Sequence, residues 1–227
     1  MINTQKDAFT KFEANGYFAR NQSILKDYSP EKDSVLKTIQ DYNYVPKRVL
    51  EIGCNAGYRL NGLKVNYPEC QVYGIEPSVD AIEYGRNNYQ DISLIQGMAD
   101  DLSIFEDEFF DLVIIGFVLY VVDRNLLLKT ISEIDRVLAD KGVLLNIDFF
   151  AQTPSLNAYT HINSMEAYTY KQNYEEVFLA SRLYQCIDKR SFSHLDKQFN
   201  ISDDYYNKYS ITSLKKDLNA GYIKQTV

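Results

Sequence analysis

The sequence predicts an α/β fold: one seven-stranded, mostly parallel sheet with helices on both faces and an antiparallel last strand. Between residues 47 and 149, apolar runs of strand length alternate with helical patterns, as is typical of parallel sheets. A glycine turn joins the first of these strands to the next helix. Two late strand-like runs follow each other directly, so they should pair antiparallel. The 227 residues are enough to bury the core of a single domain spanning 1–227.

Five apolar runs predict the parallel strands. Each run is short and rich in aliphatic side chains, which is the pattern of strands that are buried on both faces of a sheet. They cover residues 47–53, 71–76, 92–96, 110–117 and 142–149.

Helical patterns separate these strands. Ser78 is suited to cap one helix, with Asp80 in its first turn, where negative charge is favourable, and Pro68 ends the helix before it. Short helices are also expected within residues 1–30. The longer predicted helices cover residues 31–42, 57–67, 78–88 and 124–138.

The composition changes after residue 150. Only one of the ten glycines lies beyond Gly142, whereas nine of the 19 tyrosines lie in the last 77 residues, so the repeating strand–turn–helix pattern ends there. We predict a helix over 173–183 and two strands over 186–193 and 206–216.

The charge balance argues against polyanionic partners. The chain has 24 basic and 31 acidic residues, a net charge of −7, and its basic residues do not cluster. We therefore expect no nucleic acid and no membrane as partner, and instead a small polar molecule. The first residues lack a signal-peptide pattern and no apolar run reaches about 18 residues, so a cytoplasmic location is expected.

Cysteine and histidine usage predicts neither disulfides nor a metal site. Cys54, Cys70 and Cys186 are odd in number and widely spaced, and no C-x-x-C pair occurs. Histidines, cysteines and aspartates do not occur at metal-ligand spacing.

The most informative segment is VLEIGCNAG, residues 49–57. The strand carries Glu51 near its end, and Gly53 and Gly57 frame a turn that lets backbone N–H groups approach a ligand. Dinucleotide sites read G-x-G-x-x-G, but Asn55 stands at the position of the second glycine, which disfavours a pyrophosphate ligand. The pattern therefore predicts a nucleoside-like ligand of another class.

Residues 48–149 resemble the class I S-adenosylmethionine-dependent methyltransferases. The glycine turn resembles their motif I, and Gly74-Ile75-Glu76 resembles motif II, with Glu76 placed 19 residues after Gly57 to accept hydrogen bonds from ribose hydroxyls. The resemblance implies a Rossmann-like fold and S-adenosyl-L-methionine as cofactor. The later matching segments, in the family's order, are GMADDL at 97–102, FFDLV at 109–113, GFVLY at 116–120 and RVLADKG at 136–142.

The flanks and the turn are similar to a narrower group of methylases, associated with pseudaminic acid and other surface-sugar biosynthesis. This likeness implies a sugar or nucleotide-sugar acceptor. It rests on GYFARNQ at 16–22, CNAGYRLN at 54–61, RSFSH at 190–194 and ISDD at 201–204.

The resemblance implies a set of cofactor-binding residues. Glu51 and the glycine turn would hold the methionine portion, and Glu76 would hold the ribose. Met98 replaces the acid that commonly meets the adenine amino group, so Asp100 or the backbone of Ala99 would take over. The complete predicted set is Tyr17, Arg20, Glu51, Gly53, Cys54, Asn55, Gly57, Glu76, Pro77, Met98, Ala99, Gly116 and Phe117.

The chain is expected to divide by role. Residues 1–30 would form an N-terminal lid, in which Tyr17 and Arg20 share a helix face and Arg20 meets the cofactor carboxylate or an acidic substrate. Residues 47–150 would form the cofactor-binding core, and residues 151–227 a substrate-facing insertion with the antiparallel hairpin.

Methyl transfer needs little acid–base chemistry, because the methyl group arrives activated on a sulfonium. A hydroxyl acceptor still benefits from a general base, although a lone histidine is more often structural. The candidate catalytic residues are His161, His194 and Asp148. The predicted substrate contacts are Tyr120, Tyr159 and Tyr170, since tyrosine offers an apolar face and a polar tip; the late tyrosines could equally form surface cover or the contact of a homodimer.

The predicted function is methyl transfer to a small polar acceptor, with O-methylation of a sugar or nucleotide sugar favoured. Two alternatives stay open. One is a catalytically inactive cofactor-binding module of the same fold, because Met98 departs from the family pattern. The other is a nicotinamide-dependent oxidoreductase, which Asn55 disfavours.

Overall fold

Seven strands form one sheet in the order β3-β2-β1-β4-β5-β9-β8. The computed structural model describes residues 4–162, 165–194, 207–219, 221–223 and 225. Strands β1 to β5 are parallel, and β9 runs antiparallel between β5 and β8, which confirms the predicted fold class. The strands of this sheet are β1 (Arg48–Ile52), β2 (Gln71–Glu76), β3 (Ser93–Gln96), β4 (Phe110–Gly116), β5 (Leu138–Phe149), β8 (Tyr184–Ser193) and β9 (Lys208–Lys216).

Helices cover the sheet, and the sequence fixes where two of them begin. The side chain of Asp33 caps α4 by accepting from the backbone N–H groups of Val35 and Leu36, and Ser78 caps α6 by accepting from Ala81. The helices are α1 (Gln5–Ala8), α2 (Ala14–Arg20), α3 (Ser23–Asp27), α4 (Ser34–Asp41), α5 (Tyr58–Asn66), α6 (Val79–Asn88), α7 (Leu127–Val137) and α8 (Glu175–Ala180).

The core lies in two layers, one on each face of the sheet. Side chains alternate along the central strand β4, so Leu112 and Ile114 pack in one layer and Val113 and Ile115 in the other. The first layer includes buried residues of α4, α5 and α6, and the second includes buried residues of α7 and α8. This arrangement leaves the carboxyl ends of β1, β2 and β4 at one edge of the sheet.

The structure differs from the prediction chiefly after β4. Strand β5 begins at Leu138 rather than 142, because α7 passes into it without a loop and the register against β4 shifts by a bulge after Phe110. An unpredicted two-stranded hairpin, β6 (Ser155–Ala158) with β7 (Tyr168–Lys171), occupies the region predicted as the start of the insertion. The predicted ISDD match at 201–204 lies outside the described residues.

Candidate functional site

A cavity of about 210 Å³ lies beyond the carboxyl ends of β1, β2 and β4. Open α/β sheets bind ligands at this edge. We call it the cofactor cavity. Its walls include nine of the predicted cofactor-binding residues and two of the predicted substrate contacts. The former are Tyr17, Gly53, Asn55, Glu76, Pro77, Met98, Ala99, Gly116 and Phe117; the latter are Tyr120 and Tyr159.

The glycine turn brings bare backbone to the cavity wall. Gly53 has a φ of 74°, and a Cβ atom added there would lie 2.4 Å from Cγ2 of Val118, so only glycine fits. Asn55 adopts a φ of 52° and its Oδ1 accepts from the N–H of Ala56 at 2.7 Å. Gly57, with a φ of 79°, begins α5.

Glu76 is held in place by the backbone on both sides. Its Oε2 accepts from Asn55 N at 2.9 Å and its Oε1 accepts from Ser78 N at 2.9 Å. Burial raises the pKa of this carboxyl to about 6, against the lowering effect of the two N–H donors. Because each carboxylate oxygen can accept more than one hydrogen bond, the side chain keeps capacity for ligand hydroxyls at the cavity wall.

Glu51 lies behind the wall, where it forms a buried ion-pair network that includes Arg59. The guanidinium of Arg59 lines the cavity and donates to Oε1 of Glu51 and, at 2.9 Å, to Oδ2 of Asp33. Oε2 of Glu51 has no hydrogen-bond partner among the described residues, and burial raises the pKa of its carboxyl to about 7. Sequence reasoning missed Arg59; its spacing of eight residues from Glu51 was the available signal.

The wall beside Met98 contains a second unpredicted ion pair. Nζ of Lys6 donates to both oxygens of the buried Asp100 side chain, at 2.7 and 2.6 Å, and both residues line the cavity. The hydroxyl of Thr10 lies 3.7 Å from Sδ of Met98. Asp100 therefore lies at the wall that the sequence assigned to adenine. Its carboxylate, however, is already bound by Lys6 from the N-terminal segment.

The N-terminal segment, residues 4–28, contributes Lys6, Phe9, Ala14 and Tyr17 to the cavity wall. Gln5 fastens it: its Nε2 donates to the carbonyls of Val121 and Tyr168 at 2.7 and 2.8 Å, and its Oε1 accepts from Tyr168 N at 2.8 Å. Between α1 and α2 the helix forms a π turn over Phe9–Glu13, a distortion that is frequent at functional sites. Tyr17 reaches the cavity, whereas Arg20 does not line it and pairs with Glu13.

Aromatic rings form the wall beyond β4. Phe117 follows Gly116 with a φ of 53°, a strained value for a bulky side chain. Its ring lies 6.5 Å from the ring of Tyr120 and 5.5 Å from that of Phe149, measured between centroids. Strand β4 ends at Gly116, and Phe117 lies at the cavity wall.

The three candidate catalytic residues do not line the cofactor cavity. Asp148 is buried at the end of β5, next to Phe149, and burial raises its pKa to about 8. The ring of His194 packs against Phe117 at 5.4 Å, and the exposed His161 packs against Tyr159 at 5.4 Å.

Four other predicted residues are also set back from the cavity. Cys54 is buried beneath Gly74, and Gly57 and Glu51 lie behind the wall. Tyr170 lies under the guanidinium of Arg124, at 4.0 Å from its ring centroid. That arginine also donates to the carbonyls of Leu119 and Val122, so it ties the loop after β4 to the insertion.

The described residues contain neither a candidate metal centre nor a helix able to span a membrane. In this part of the chain, no group of three histidine, cysteine, aspartate or glutamate side chains could hold a metal ion. Within the same residues, none of the helices has the length and apolarity needed to cross a bilayer.

Part of this chain matches a known protein family. Residues 50–146 match a family described as a methyltransferase domain. An uncharacterized protein of Haemophilus influenzae is 32% identical over 107 residues, which cover 45% of this chain and 42% of that protein. The match thus spans less than half the length of this relative.

Solved structures share the fold. The 1,6-didemethyltoxoflavin N1-methyltransferase of Burkholderia thailandensis, solved with 1,6-didemethyltoxoflavin and S-adenosylhomocysteine, has a TM-score of 0.71 at 10% identity, over 92% of this chain and 88% of that one. The N-methyltransferase NodS of Bradyrhizobium japonicum, solved with S-adenosylhomocysteine, has a TM-score of 0.61 at 16% identity, over 89% and 98%. Residues 50–146 therefore match a methyltransferase domain, and the chain shares its fold with these two solved methyltransferases.

Proposed function

We propose that this protein transfers a methyl group from S-adenosyl-L-methionine to a small polar acceptor, with an oxygen of a sugar or nucleotide sugar as the favoured target. One observation carries the proposal. A single cavity combines an acid oriented by two backbone N–H groups, Glu76, with a wall of aromatic and phenolic side chains, Phe117, Tyr120 and Tyr159. The oriented acid suits a nucleoside. The aromatic and phenolic wall suits the space in which an acceptor must approach the methyl group.

The residues of the cavity fit the cofactor. Gly53 leaves space that a Cβ would fill, and Glu76 is presented to hold the ribose hydroxyls. Arg59 offers a cation at the wall for the carboxylate of the methionine portion, and the orphaned Oε2 of Glu51 lies behind it. Ile75 and Met98 supply apolar surface for adenine.

The bound cofactor supplies a methyl group on a positively charged sulfur, so the protein has little bond activation to perform. The rings of Tyr17, Phe117 and Tyr120 give that charge a favourable aromatic surface. Tyr159, whose hydroxyl donates to Glu13 at 2.6 Å, holds a polar tip beside the acceptor. The main contribution of these side chains is to orient the acceptor in line with the methyl group.

We propose that a base assists when the acceptor is a hydroxyl. His161 touches Tyr159, His194 touches Phe117, and Asp148 precedes Phe149 in β5, so each candidate lies one residue away from the cavity wall or its aromatic surround. Closure around an acceptor would have to bring one of them nearer.

A calorimetric titration with S-adenosylmethionine, and separately with S-adenosylhomocysteine, tests the cofactor assignment. We expect both to bind in the micromolar range, after which nucleotide sugars and free sugars can be screened for S-adenosylhomocysteine release. If neither ligand binds, the proposed function is wrong.

A second candidate function, cofactor binding without turnover, is favoured by the wall around Met98. The family's acid is missing there, and Asp100 is already paired with Lys6. Tight cofactor binding together with no turnover on any acceptor would support this candidate. The oxidoreductase alternative is tested in the same titration, since it requires binding of a nicotinamide dinucleotide.

Deleting residues 1–28 should weaken cofactor binding by about tenfold without unfolding the rest of the chain. The deletion removes the cavity wall formed by Lys6, Phe9, Ala14 and Tyr17, and a loss of about 1–2 kcal/mol is expected for the apolar contacts it takes away. Both main core layers are built from residue 35 onward, so they remain. Calorimetry and thermal unfolding of the truncated protein measure the two effects separately, and an unchanged affinity would contradict the role of this segment as a lid.

A further inference from the structure

We propose that a second cavity, on the far side of Phe149 from the cofactor cavity, binds an anionic group of the acceptor, with Lys171 as its cationic contact. This inference rests on the proposed function and narrows the acceptor to hydroxylated compounds that carry a carboxylate or a phosphate.

The second cavity has a volume of about 280 Å³ and is built by the chain that leaves β5 together with the β6–β7 hairpin. Phe149 and Phe150 contribute apolar side chains to its lining. Amide and hydroxyl side chains able to bond acceptor hydroxyls complete it: Gln152, Thr153, Ser155 and Asn157.

Lys171 is the one charged side chain among the described residues that line this cavity. Its Nζ lies 3.9 Å from the centroid of the Phe149 ring, a cation–π contact that keeps the ammonium group beside the ring instead of extended into solvent. Burial lowers the pKa of Lys171, opposed by the charge of Asp148. A partly desolvated cation interacts more strongly with an anion than a cation on the open surface does.

We therefore expect the second cavity to bind anionic acceptors in preference to neutral ones. The chain as a whole carries a net charge of −7, which disfavours anions in general. A lysine in a concave site of such a protein gives an acidic acceptor a local attraction that a neutral acceptor would not gain. Carboxylate and phosphate share this chemistry, and the test below separates them.

Phe149 connects the second cavity to the methyl-transfer space. Its ring centroid lies 5.5 Å from that of Phe117 and 5.1 Å from that of Tyr120, and both of those residues line the cofactor cavity. One aromatic ring therefore separates the two cavities. An acceptor lying along this ring would bring its anionic group to Lys171 and its reacting atom to the cofactor cavity.

The test measures binding of three small probes: D-glucuronate, α-D-glucose 1-phosphate and, as the neutral match, D-glucose. Titrations are followed by NMR, on the protein alone and on the protein saturated with S-adenosylhomocysteine. We expect an anionic probe to bind at least tenfold more tightly than D-glucose, and the better of the two anions identifies carboxylate or phosphate as the preferred group.

Three variants localise the site. Lys171→Gln should lower the affinity for the anionic probe at least tenfold, Lys171→Arg should retain most of it, and Lys37→Gln, at an exposed lysine on α4, should change nothing. All three should bind S-adenosylhomocysteine like the unaltered protein. Equal binding of D-glucose, no binding of either anion, or an unaltered affinity in Lys171→Gln would overturn the assignment. Loss of S-adenosylhomocysteine binding in the unaltered protein would instead refute the proposed function.

Discussion

Replacing Glu76 with alanine is expected to weaken S-adenosylmethionine binding by about 1–3 kcal/mol, which is about 5- to 150-fold. The side chain is 9% exposed, lines the cofactor cavity and is aimed by Asn55 N and Ser78 N. The loss would be that of charge-assisted hydrogen bonds to two ribose hydroxyls. Calorimetric titration of the variant measures it.

The matched control is Glu83→Ala, which removes an exposed carboxylate from α6, the helix that follows Glu76. It should bind the cofactor normally. Since Glu76→Ala also leaves two backbone donors without their acceptor, Glu76→Gln is the second variant: it keeps a carbonyl acceptor but loses the charge. Normal affinity in both Glu76 variants would contradict the proposal that Glu76 binds the ribose.

The pH dependence of binding follows from the same carboxyl. Because its pKa is raised to about 6, Glu76 is increasingly protonated below pH 6 and then has fewer lone pairs to offer. Affinity for S-adenosylmethionine should therefore fall as the pH drops from 7 to 5. Glu76→Gln should lose this part of the pH dependence.

Local sequence patterns were sufficient to predict the fold, and they also indicated several of the residues that line the cofactor cavity. The strand, glycine turn and helix around Gly53 are contiguous, and Glu76 follows at a fixed spacing set by one helix and one strand. The left-handed conformation that Gly53 and Gly57 adopt is one that a sequence motif records directly.

Side-chain pairs between distant segments could not be predicted in this way. Lys6 and Asp100 are 94 residues apart, and Glu13 and Tyr159 are 146 apart, so no periodicity or spacing links them. Lysine and glutamate on a short amphipathic helix usually indicate a solvated face. Here, instead, Lys6 pairs with Asp100 and Glu13 accepts from Tyr159, and both of these distant partners line the cavity.

The β6–β7 hairpin escaped prediction for a related reason. Its strands are four residues each, and all four residues of β6 are exposed, so the apolar alternation that marks a half-buried strand is weak. The hairpin carries Lys171, the proposed contact of the acceptor's anionic group, as the last residue of β7. The proposed acceptor side is thus the part of the site that sequence patterns record least.

Asp148→Asn is expected to stabilise the protein, and by more at pH 8.5 than at pH 5. The carboxyl of Asp148 is 3% exposed, and burial raises its pKa from 3.8 to about 8. Between those two values the folded state holds a proton that the unfolded state has released, so the free energy of unfolding falls as the pH rises. Well above pH 8, where Asp148 is ionised in both states, this group no longer changes the free energy of unfolding with pH.

The size of this effect follows from about 1.4 kcal/mol for each unit of pKa difference, reduced because buried sites relax around a charge. We expect the gain from Asp148→Asn to be about 2–4 kcal/mol larger at pH 8.5 than at pH 5. Asparagine keeps an oxygen to accept from Phe149 N, now at 2.8 Å from Oδ1. The raised pKa values of Glu51 and Glu76 have the same sign but are common to both proteins, so they cancel in the comparison.

Chemical denaturation at the two pH values measures the difference, with Asp27→Asn, an exposed aspartate on α3, as the control that should show none. A pH-independent gain would show that Asp148 ionises normally in the folded protein.

The result also bears on catalysis, because an acid with a pKa of about 8 is mostly protonated at neutral pH and acts as a base only as it ionises. If Asp148 serves the acceptor hydroxyl, methyl transfer should rise with pH up to about 8 in the native protein and lose that rise in Asp148→Asn. A variant that is more stable and equally active at every pH would leave Asp148 with no part in the reaction.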